Sequence, residues 1–355
     1  MEIDDLLEAV AVGDPLVGVD LRGIDLLGRG LAGGQFIDVD FSRLDLSSTD
    51  LEGAIFSGCR LTGCQLDADR LADVVLQGCD LSDARLSGRM LRRVQIAVSD
   101  ASRIDLRGVR LHTVNLAKVT LKGANFAQCG LKQVAMLDCP LDGASFENAL
   151  LRSVAITDAD LRTVNLAGMR ADTGMLMNAK LDGLDLSDRI LSRINFKSAS
   201  LAGARLDRSN IGQSLFVSCD LTGARLDAVA AQMSLFTESI LTKAVLIGAN
   251  LEQANFANAT LDGADFTGAR LEMAMFNGAS CRGARFRDCD LTNAHFANAV
   301  LDGADFTGAT MYRTNLHGAS TEAVLWSIDS ARCLGTDEQL FVAERYDPAK
   351  VPPHA

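Results

Sequence analysis

Residues 241–280 read LTKAVLIGAN LEQANFANAT LDGADFTGAR LEMAMFNGAS, and every fifth residue of this stretch is Leu or Phe. The same spacing runs from Leu16 to Leu316, where 57 of the 61 positions hold Leu, Ile, Phe or Met. A period of five fits neither the 3.6-residue period of an α-helix nor the two-residue period of a flat strand. The chain is therefore built from short repeats, and the repeat determines the fold.

The repeating unit is Ala–Asp/Asn–Leu/Phe–x–Gly/x, as in ADFTG at residues 264–268 and again at 304–308. On these residues the chain resembles the pentapeptide-repeat family over about residues 16–326. The resemblance implies an all-β fold, a right-handed quadrilateral β-helix in which four pentapeptides make one square coil. It also implies that the central residue and the small residue two positions before it point inward, whereas the other three face solvent.

The glycines support a coil of twenty residues independently. Two positions after the central residue, Gly fills ten of the fifteen positions in the series 23, 43, 63 to 303, but only two in the series 33 to 313. A coil of ten residues would make the two series alike. Twenty residues per coil predicts about 15 coils, with type II turns along the Gly-rich edge and fewer such turns where Gly is missing.

Twenty-residue spacing also predicts two internal ladders of stacked Phe side chains, one from Phe196 to Phe296 and one from Phe266 to Phe306. Both ends of the β-helix are expected to be closed by short capping helices. One is predicted over residues 3–12, ending at Gly13, and the other near 337–346, after the capping-box pair Thr336 and Gln339. The expected organisation is a capping segment at 1–15, a repeat domain at 16–326, and a capping helix with a tail at 327–355.

Composition limits the functions that the chain can have. The net charge is −12, which is unfavourable for direct nucleic-acid binding. The N-terminus is acidic and no apolar run has membrane-spanning length, so we expect no membrane association and a cytoplasmic location. Seven of the nine Cys occupy the small inward position and no CxxC occurs, which predicts buried thiols and no zinc site. No catalytic motif is present, so neither enzyme activity nor a cofactor is predicted.

Two outward surfaces are candidates for binding. An apolar stripe is predicted beside the first Phe ladder, and its candidate partner interface comprises Met175, Met177, Leu215, Val217, Leu235 and Met275. A basic stripe is predicted on another face and comprises Arg92, Arg93, Arg110, Lys132, Arg152, Arg170 and Arg193. For the apolar stripe the alternative is a face covered by a loop, and for the basic stripe it is ordinary solvated charge.

Charged residues at the small inward position are exceptions to the repeat. Asp69 and Arg89 lie twenty residues apart, which predicts a stacked and ion-paired couple, or else a local backbone change that turns both outward. Together these features indicate a non-catalytic scaffold or adaptor that binds a protein partner, with a homodimer left open. The family resemblance implies two alternatives, a DNA-mimicking protein that binds DNA gyrase and gives quinolone tolerance, and an accessory protein of a bacterial secretion system.

Overall fold

The computed structural model describes residues 2–344 of the chain. Its backbone consists mainly of short parallel strands, isolated parallel bridges and turns, with short helices at both ends of the described residues. The helices are α1 (Ile3–Val12) and α2 (Glu338–Glu344), with 3₁₀ turns at Ala68–Arg70 and Ile328–Arg332. The strands are β1 (Leu16–Val17), β2 (Gln35–Ile37), β3 (Asp45–Leu46), β4 (Ile55–Ser57), β5 (Gln65–Asp67), β6 (Val75–Gln77), β7 (Arg85–Ser87), β8 (Met90–Arg92), β9 (Gln95–Ala97), β10 (Arg110–Ala117), β11 (Gly130–Leu137), β12 (Leu150–Thr157), β13 (Arg170–Met175) and β14 (Leu191–Asn195).

The described residues form two compact units. Unit 1 contains residues 2–182 and 189–199, and unit 2 contains residues 183–188 and 200–344. In unit 1 a parallel sheet runs in the order β1-β2-β4-β6-β9-β10-β11-β12-β13-β14, and every strand pairs with residues twenty positions away, as Lys132 does with Arg152. A second sheet has the order β3-β5-β7. The twenty-residue coil and the right-handed quadrilateral β-helix are therefore confirmed.

Unit 2 keeps the same register without extended strands. Single parallel bridges join residues twenty apart on all four faces, for example Ser200 to Asp220, Arg205 to Arg225, Asn210 to Ala230 and Leu215 to Leu235. The strands β1 to β14 make about nine turns, which is fewer than the fifteen coils predicted. The difference arises because single bridges take the place of strands in unit 2.

The core consists of the apolar residues that recur at every fifth position and of the small residues two positions before them. In unit 2 the predicted ladder is confirmed from Phe216 to Phe296, where neighbouring ring centroids lie 4.5–5.0 Å apart. The second ladder, from Phe266 to Phe306, has 5.0 Å spacings and is continued by Trp326 at 5.6 Å. Stacked, fully buried aromatic rings add pairwise attraction to the free energy of burial.

The turns between neighbouring faces, which we call the corners, do not depend on Gly in the way that was predicted. At Lys243 and Val98, as at many other non-glycine corner residues, φ is positive (57° and 51°), so the prediction of fewer such turns without Gly is wrong. Two backbone bonds hold the conformation: Ala244 N–H donates to the Leu241 carbonyl at 3.0 Å, and Lys243 N–H donates to Asp262 in the next coil at 3.0 Å. These repeated bonds offset a strain of about 1–3 kcal/mol per residue.

Both terminal helices are present. The helix predicted over residues 3–12 is confirmed, with Leu6 fully buried and Gly13 closing it at φ 82°. The second helix begins at Glu338, and the predicted capping box is wrong. The carboxylate of Asp337 accepts from the N–H groups of residues 339 and 340, whereas the Thr336 hydroxyl accepts from Gly318 N–H. Residues 345–346 of the predicted helix lie outside the described residues.

Candidate interaction surfaces

Unit 2 carries a row of apolar side chains along one face, which we call the apolar row. Leu215 bridges to Leu235, Leu235 bridges to Asn255, and Asn255 bridges to Met275, so the three apolar residues share one column. Each is partly exposed, as is Val217 on the same face. The row thus contains four of the six residues predicted for the partner interface.

Two further methionines belong to the apolar row and were missed by the sequence reasoning. Met233 and Met273 are corner residues with φ 58°, and their side chains are 51% and 54% exposed, more than any other apolar side chain of the row. Each lies two positions before a residue of the column, Leu235 and Met275. Their forty-residue spacing in a position usually held by polar residues was the available signal. A turn residue projects away from the core, which explains the exposure.

The other two predicted interface residues, Met175 and Met177, lie in unit 1. Met175 ends β13 and is 43% exposed, directly beside Ala155 in the sheet register. Met177 is partly buried, and its sulfur accepts a contact from the Asn195 side-chain amide at 3.4 Å. Met175 thus continues a column of unit 1 that contains Ala135 and Ala155.

The basic residues of the predicted stripe lie on one face of unit 1. The register places Arg92 beside His112, His112 beside Lys132, and Lys132 beside Arg152. In the neighbouring column two positions earlier on each strand, Arg110 and Arg170 are separated by Gly130 and Leu150. We call the five exposed residues without an ion-pair partner among residues 2–344 the basic ladder: Arg92, Arg110, Lys132, Arg152 and Arg170.

Two members of the predicted stripe are instead neutralised. Arg93 donates to both carboxylate oxygens of Asp73 at 2.6 and 2.5 Å, which lowers the pKa of that carboxyl group. Arg193 pairs with Asp172, with its Nε 3.0 Å from the carboxylate, and this hydrogen bond lowers the pKa of Asp172. Both acidic residues therefore already have a hydrogen-bonding partner, and each also attracts one member of the basic ladder, Asp73 the neighbouring Arg92 and Asp172 the neighbouring Arg152.

Asp69 and Arg89 are stacked and paired on the surface. The Arg89 Nε lies 3.9 Å from the Asp69 carboxylate, and the Arg89 side chain is 94% exposed. The same carboxylate accepts from the backbone N–H groups of Arg89 and Met90 at 3.1 and 3.0 Å. Asp69 lies in the 3₁₀ turn Ala68–Arg70, whose backbone takes its side chain out of the core. The ion pair therefore avoids the cost of burying two charges.

Unit 2 contains an ion-pair network that the sequence reasoning did not identify. Asp207 is almost completely buried, with Arg205 Nε at 3.2 Å and Arg225 Nε at 3.5 Å, and it also accepts from the Asp227 N–H. Burial raises the pKa of Asp207, but the hydrogen bond from Arg205 and the charge of Arg225 outweigh burial and keep this pKa below its ordinary value. The network stabilises the coils and offers no unpaired acid or base.

Within residues 2–344 no group of His, Cys, Asp or Glu side chains is arranged to hold a metal ion. No helix of that part of the chain is long and apolar enough to cross a bilayer. Eight of the nine cysteines are buried. The features of the described surface that could bind a partner are rows of aligned side chains.

Several solved structures are similar to parts of this chain. HetL, a pentapeptide repeat protein involved in heterocyst differentiation regulation from the cyanobacterium Nostoc sp. strain PCC 7120, is 27% identical; the match covers 61% of this chain and 89% of HetL, with a TM-score of 0.27. QnrB1, a plasmid-mediated fluoroquinolone resistance protein, is 17% identical over 55% of this chain and 98% of its own, with a TM-score of 0.30. A pentapeptide repeat protein of the Arabidopsis thaliana thylakoid lumen is 23% identical over 37% and 76%, with a TM-score of 0.20.

No curated protein matches the chain significantly. Two family models do match. The model of the pentapeptide repeat region matches residues 109–186 and 209–286, and the model of eight-copy pentapeptide repeats matches residues 35–68, 176–213 and 279–318. Together they cover more than half of the chain, in the same part that forms the twenty-residue coils. The chain therefore belongs to the pentapeptide-repeat family.

Proposed function

We propose that this protein is a non-catalytic scaffold that binds a partner protein, and that the apolar row of unit 2 is its main contact surface. The main support for this proposal is that Met233 and Met273, both about half exposed, lie beside a column of other apolar side chains. The residues of that column, Leu215, Leu235 and Met275, are partly exposed. Isolated exposed apolar side chains are common on proteins, but apolar side chains aligned on one face, here interrupted only at Gln253 and Asn255, are typical of an interface. Methionine is especially suited to such surfaces because its flexible thioether adapts to a partner.

The exposed area of the apolar row sets the free energy that the row can contribute to binding. Fully burying a Leu or Met side chain stabilises by about 1.5–3 kcal/mol, so the exposed part of the row would contribute roughly 3–4 kcal/mol on binding. Association costs at least as much in lost translational and rotational freedom. The row therefore acts as the centre of a larger interface, in which polar neighbours such as Gln253 and Asn255 complete the contact.

The proposal is tested by affinity capture from nuclease-treated native lysate, with wild type, the apolar-row variant Leu235→Glu/Met273→Glu and the control Ile240→Glu/Ile247→Glu. The control adds the same charge at two apolar side chains of unit 2 that are 45% and 44% exposed but lie on other faces. We expect one protein to be retained by wild type and by the control and to be lost by the apolar-row variant. Equal retention by all three proteins would refute the assignment, provided that their melting temperatures agree.

The gyrase-binding alternative is less well supported. A duplex mimic needs a continuous acidic surface, but the bridged column Asp20, Asp40, Arg60, Asp80 and Asp100 is interrupted by a cation. Arg22 also lies within 3.6 Å of two of these carboxylates, and Arg60 lies 3.7 Å from one. We therefore do not adopt DNA mimicry, and no surface feature of residues 2–344 favours a role in secretion.

A further inference from the structure

We propose that the basic ladder of unit 1 is a second docking surface, which binds an acidic protein segment that also carries aliphatic side chains. This surface is separate from the apolar row and does not depend on it. Its five cations lie on one parallel sheet face and have no ion-pair partner among residues 2–344, in a chain whose net charge is −12. A cluster of like charges raises the local electrostatic potential, which attracts a partner of opposite charge.

The neighbouring ion pairs show what the basic ladder lacks. On the same face Arg93 and Arg193 are held by Asp73 and Asp172, so the fold does provide acidic partners for some corner cations. Asp172 is the register neighbour of Arg152, but Arg193 donates both its Nε and its Nη2 to that carboxylate. Asp172 therefore offsets part of the Arg152 charge, but the guanidinium and ammonium donors of the basic ladder form no ion pair within residues 2–344 and can reach a ligand.

The spacing of the basic ladder suits an extended chain. Neighbouring coils are about 4.8 Å apart and alternate residues on a strand about 6.6 Å apart, so the cations occupy a regular grid about 19 Å long from Arg92 to Arg170. Gly130, which has no side chain, lies between Arg110 and Leu150 and leaves the middle of the face low. A peptide of about six extended residues would span the grid.

Aliphatic side chains between the cations distinguish a peptide from a nucleic acid. Leu150 and Ile190 are 51% and 41% exposed, and Leu150 precedes Arg170 in the same column. With Arg152, Arg170, Asp172 and Arg193 they line a surface concavity of about 330 Å³, in which Asp172 is paired with Arg193. A partner with carboxylates beside Leu, Ile or Val side chains would satisfy both the cations and this apolar lining. A phosphodiester backbone would satisfy only the cations, and the net charge of the protein disfavours its approach.

Fluorescence anisotropy with defined probes tests this proposal on the full chain. The main probe is a labelled peptide of alternating Glu and Leu, about eight residues long, enough to span the ladder. One control probe replaces every Leu by Ser, and the other is a short single-stranded oligothymidylate. We expect the Glu-Leu peptide to bind more tightly than either control, and its affinity to fall as salt is raised, because salt screens exposed charges.

Charge-reversal variants locate the binding. Arg152→Glu/Arg170→Glu should weaken the Glu-Leu peptide by about tenfold or more, whereas Arg107→Glu/Lys118→Glu, which makes the same charge change elsewhere in unit 1, should leave it nearly unchanged. Leu150→Ser/Ile190→Ser should weaken the Glu-Leu peptide but not the Glu-Ser peptide. The apolar-row variant Leu235→Glu/Met273→Glu serves as a second control and should bind all three probes as wild type does.

Three results would overturn the proposal. If the oligothymidylate bound more tightly than the Glu-Leu peptide, and lost that binding on Arg152→Glu/Arg170→Glu, the ladder would be a nucleic-acid surface. Equal losses in the ladder variant and in Arg107→Glu/Lys118→Glu would mean that only overall charge matters. Absence of binding by the Glu-Leu peptide to a correctly melting wild-type protein would leave the ladder as solvated charge. None of these results bears on the apolar row.

Discussion

Replacing Phe256 by Leu should destabilise unit 2 because this ring lies at a junction of the two ladders. Phe256 is fully buried and stacks on Phe236 and Phe276 with centroids 4.9 and 5.0 Å away, and it meets Phe266 edge-on at 5.7 Å. Each aromatic pair contributes about 0.5–1.5 kcal/mol beyond the area that it buries. Phe256→Leu keeps an apolar side chain but removes all three pairs, so we expect a loss of about 3 kcal/mol in the free energy of unfolding.

Urea denaturation followed by circular dichroism measures this loss, and a double-mutant cycle isolates the stacking. The pair Phe236→Leu and Phe256→Leu should show a coupling energy of about 1 kcal/mol. The control pair Phe236→Leu and Phe286→Leu, whose rings neither contact each other nor share a ring partner, should couple by less than about 0.5 kcal/mol. If both cycles gave the same coupling energy, the ladder would be simple apolar packing and our reasoning about ring stacking would be wrong.

Three further predictions concern Asp207, the buried thiols and Gly174. Asp207→Asn should lower the free energy of unfolding by about 1–3 kcal/mol at neutral pH, because it removes the charge between Arg205 and Arg225. Since the folded-state pKa of Asp207 lies below its unfolded value of about 3.9, this contribution to stability is present above that pH and is lost as the pH falls. The difference in unfolding free energy between variant and wild type, measured by urea denaturation, should therefore shrink in acid. A difference that stays constant with pH would contradict the assignment. Burial raises the pKa of Cys64 to about 11 and that of Cys129 to about 12, so iodoacetamide at mildly alkaline pH should modify these thiols only after unfolding, as peptide mass spectrometry would detect. Gly174→Ala should destabilise by about 1–3 kcal/mol because its Cβ would lie 2.6 Å from the Val154 carbonyl oxygen, whereas Gly130→Ala, with its nearest neighbour at 3.6 Å, should leave the melting temperature nearly unchanged.

The core could be predicted from sequence because its signal is repeated in every coil. An apolar residue at every fifth position is compatible with one arrangement in which the central side chains are buried. The distribution of Gly then indicated four five-residue units per coil. The corners could not be predicted in the same way. Gly at some turn positions suggested that others would differ, but Val98 and Lys243 take the same positive φ since the bonds to the adjacent coil impose it.

The surfaces could be predicted only in part. Column positions follow from residue number, so Leu215 and Leu235 were correctly placed beside each other. Whether a residue is exposed depends on its corner geometry and neighbours, which is why Met233 and Met273 were missed. Ion pairing depends on side-chain conformations that no spacing rule supplies, and so the neutralisation of Arg93 and Arg193 appeared only in the structure.

Methionine oxidation would show whether the apolar row is the partner-binding surface. Hydroxyl radicals convert exposed Met to its sulfoxide, and peptide mass spectrometry reports each site in the free protein and in the complex with the captured partner. We predict that the partner protects Met233 and Met273 of the row, whereas Met175 of unit 1, 43% exposed, oxidises equally in both states. Unchanged oxidation of Met233 and Met273 in the complex would contradict the proposed interface.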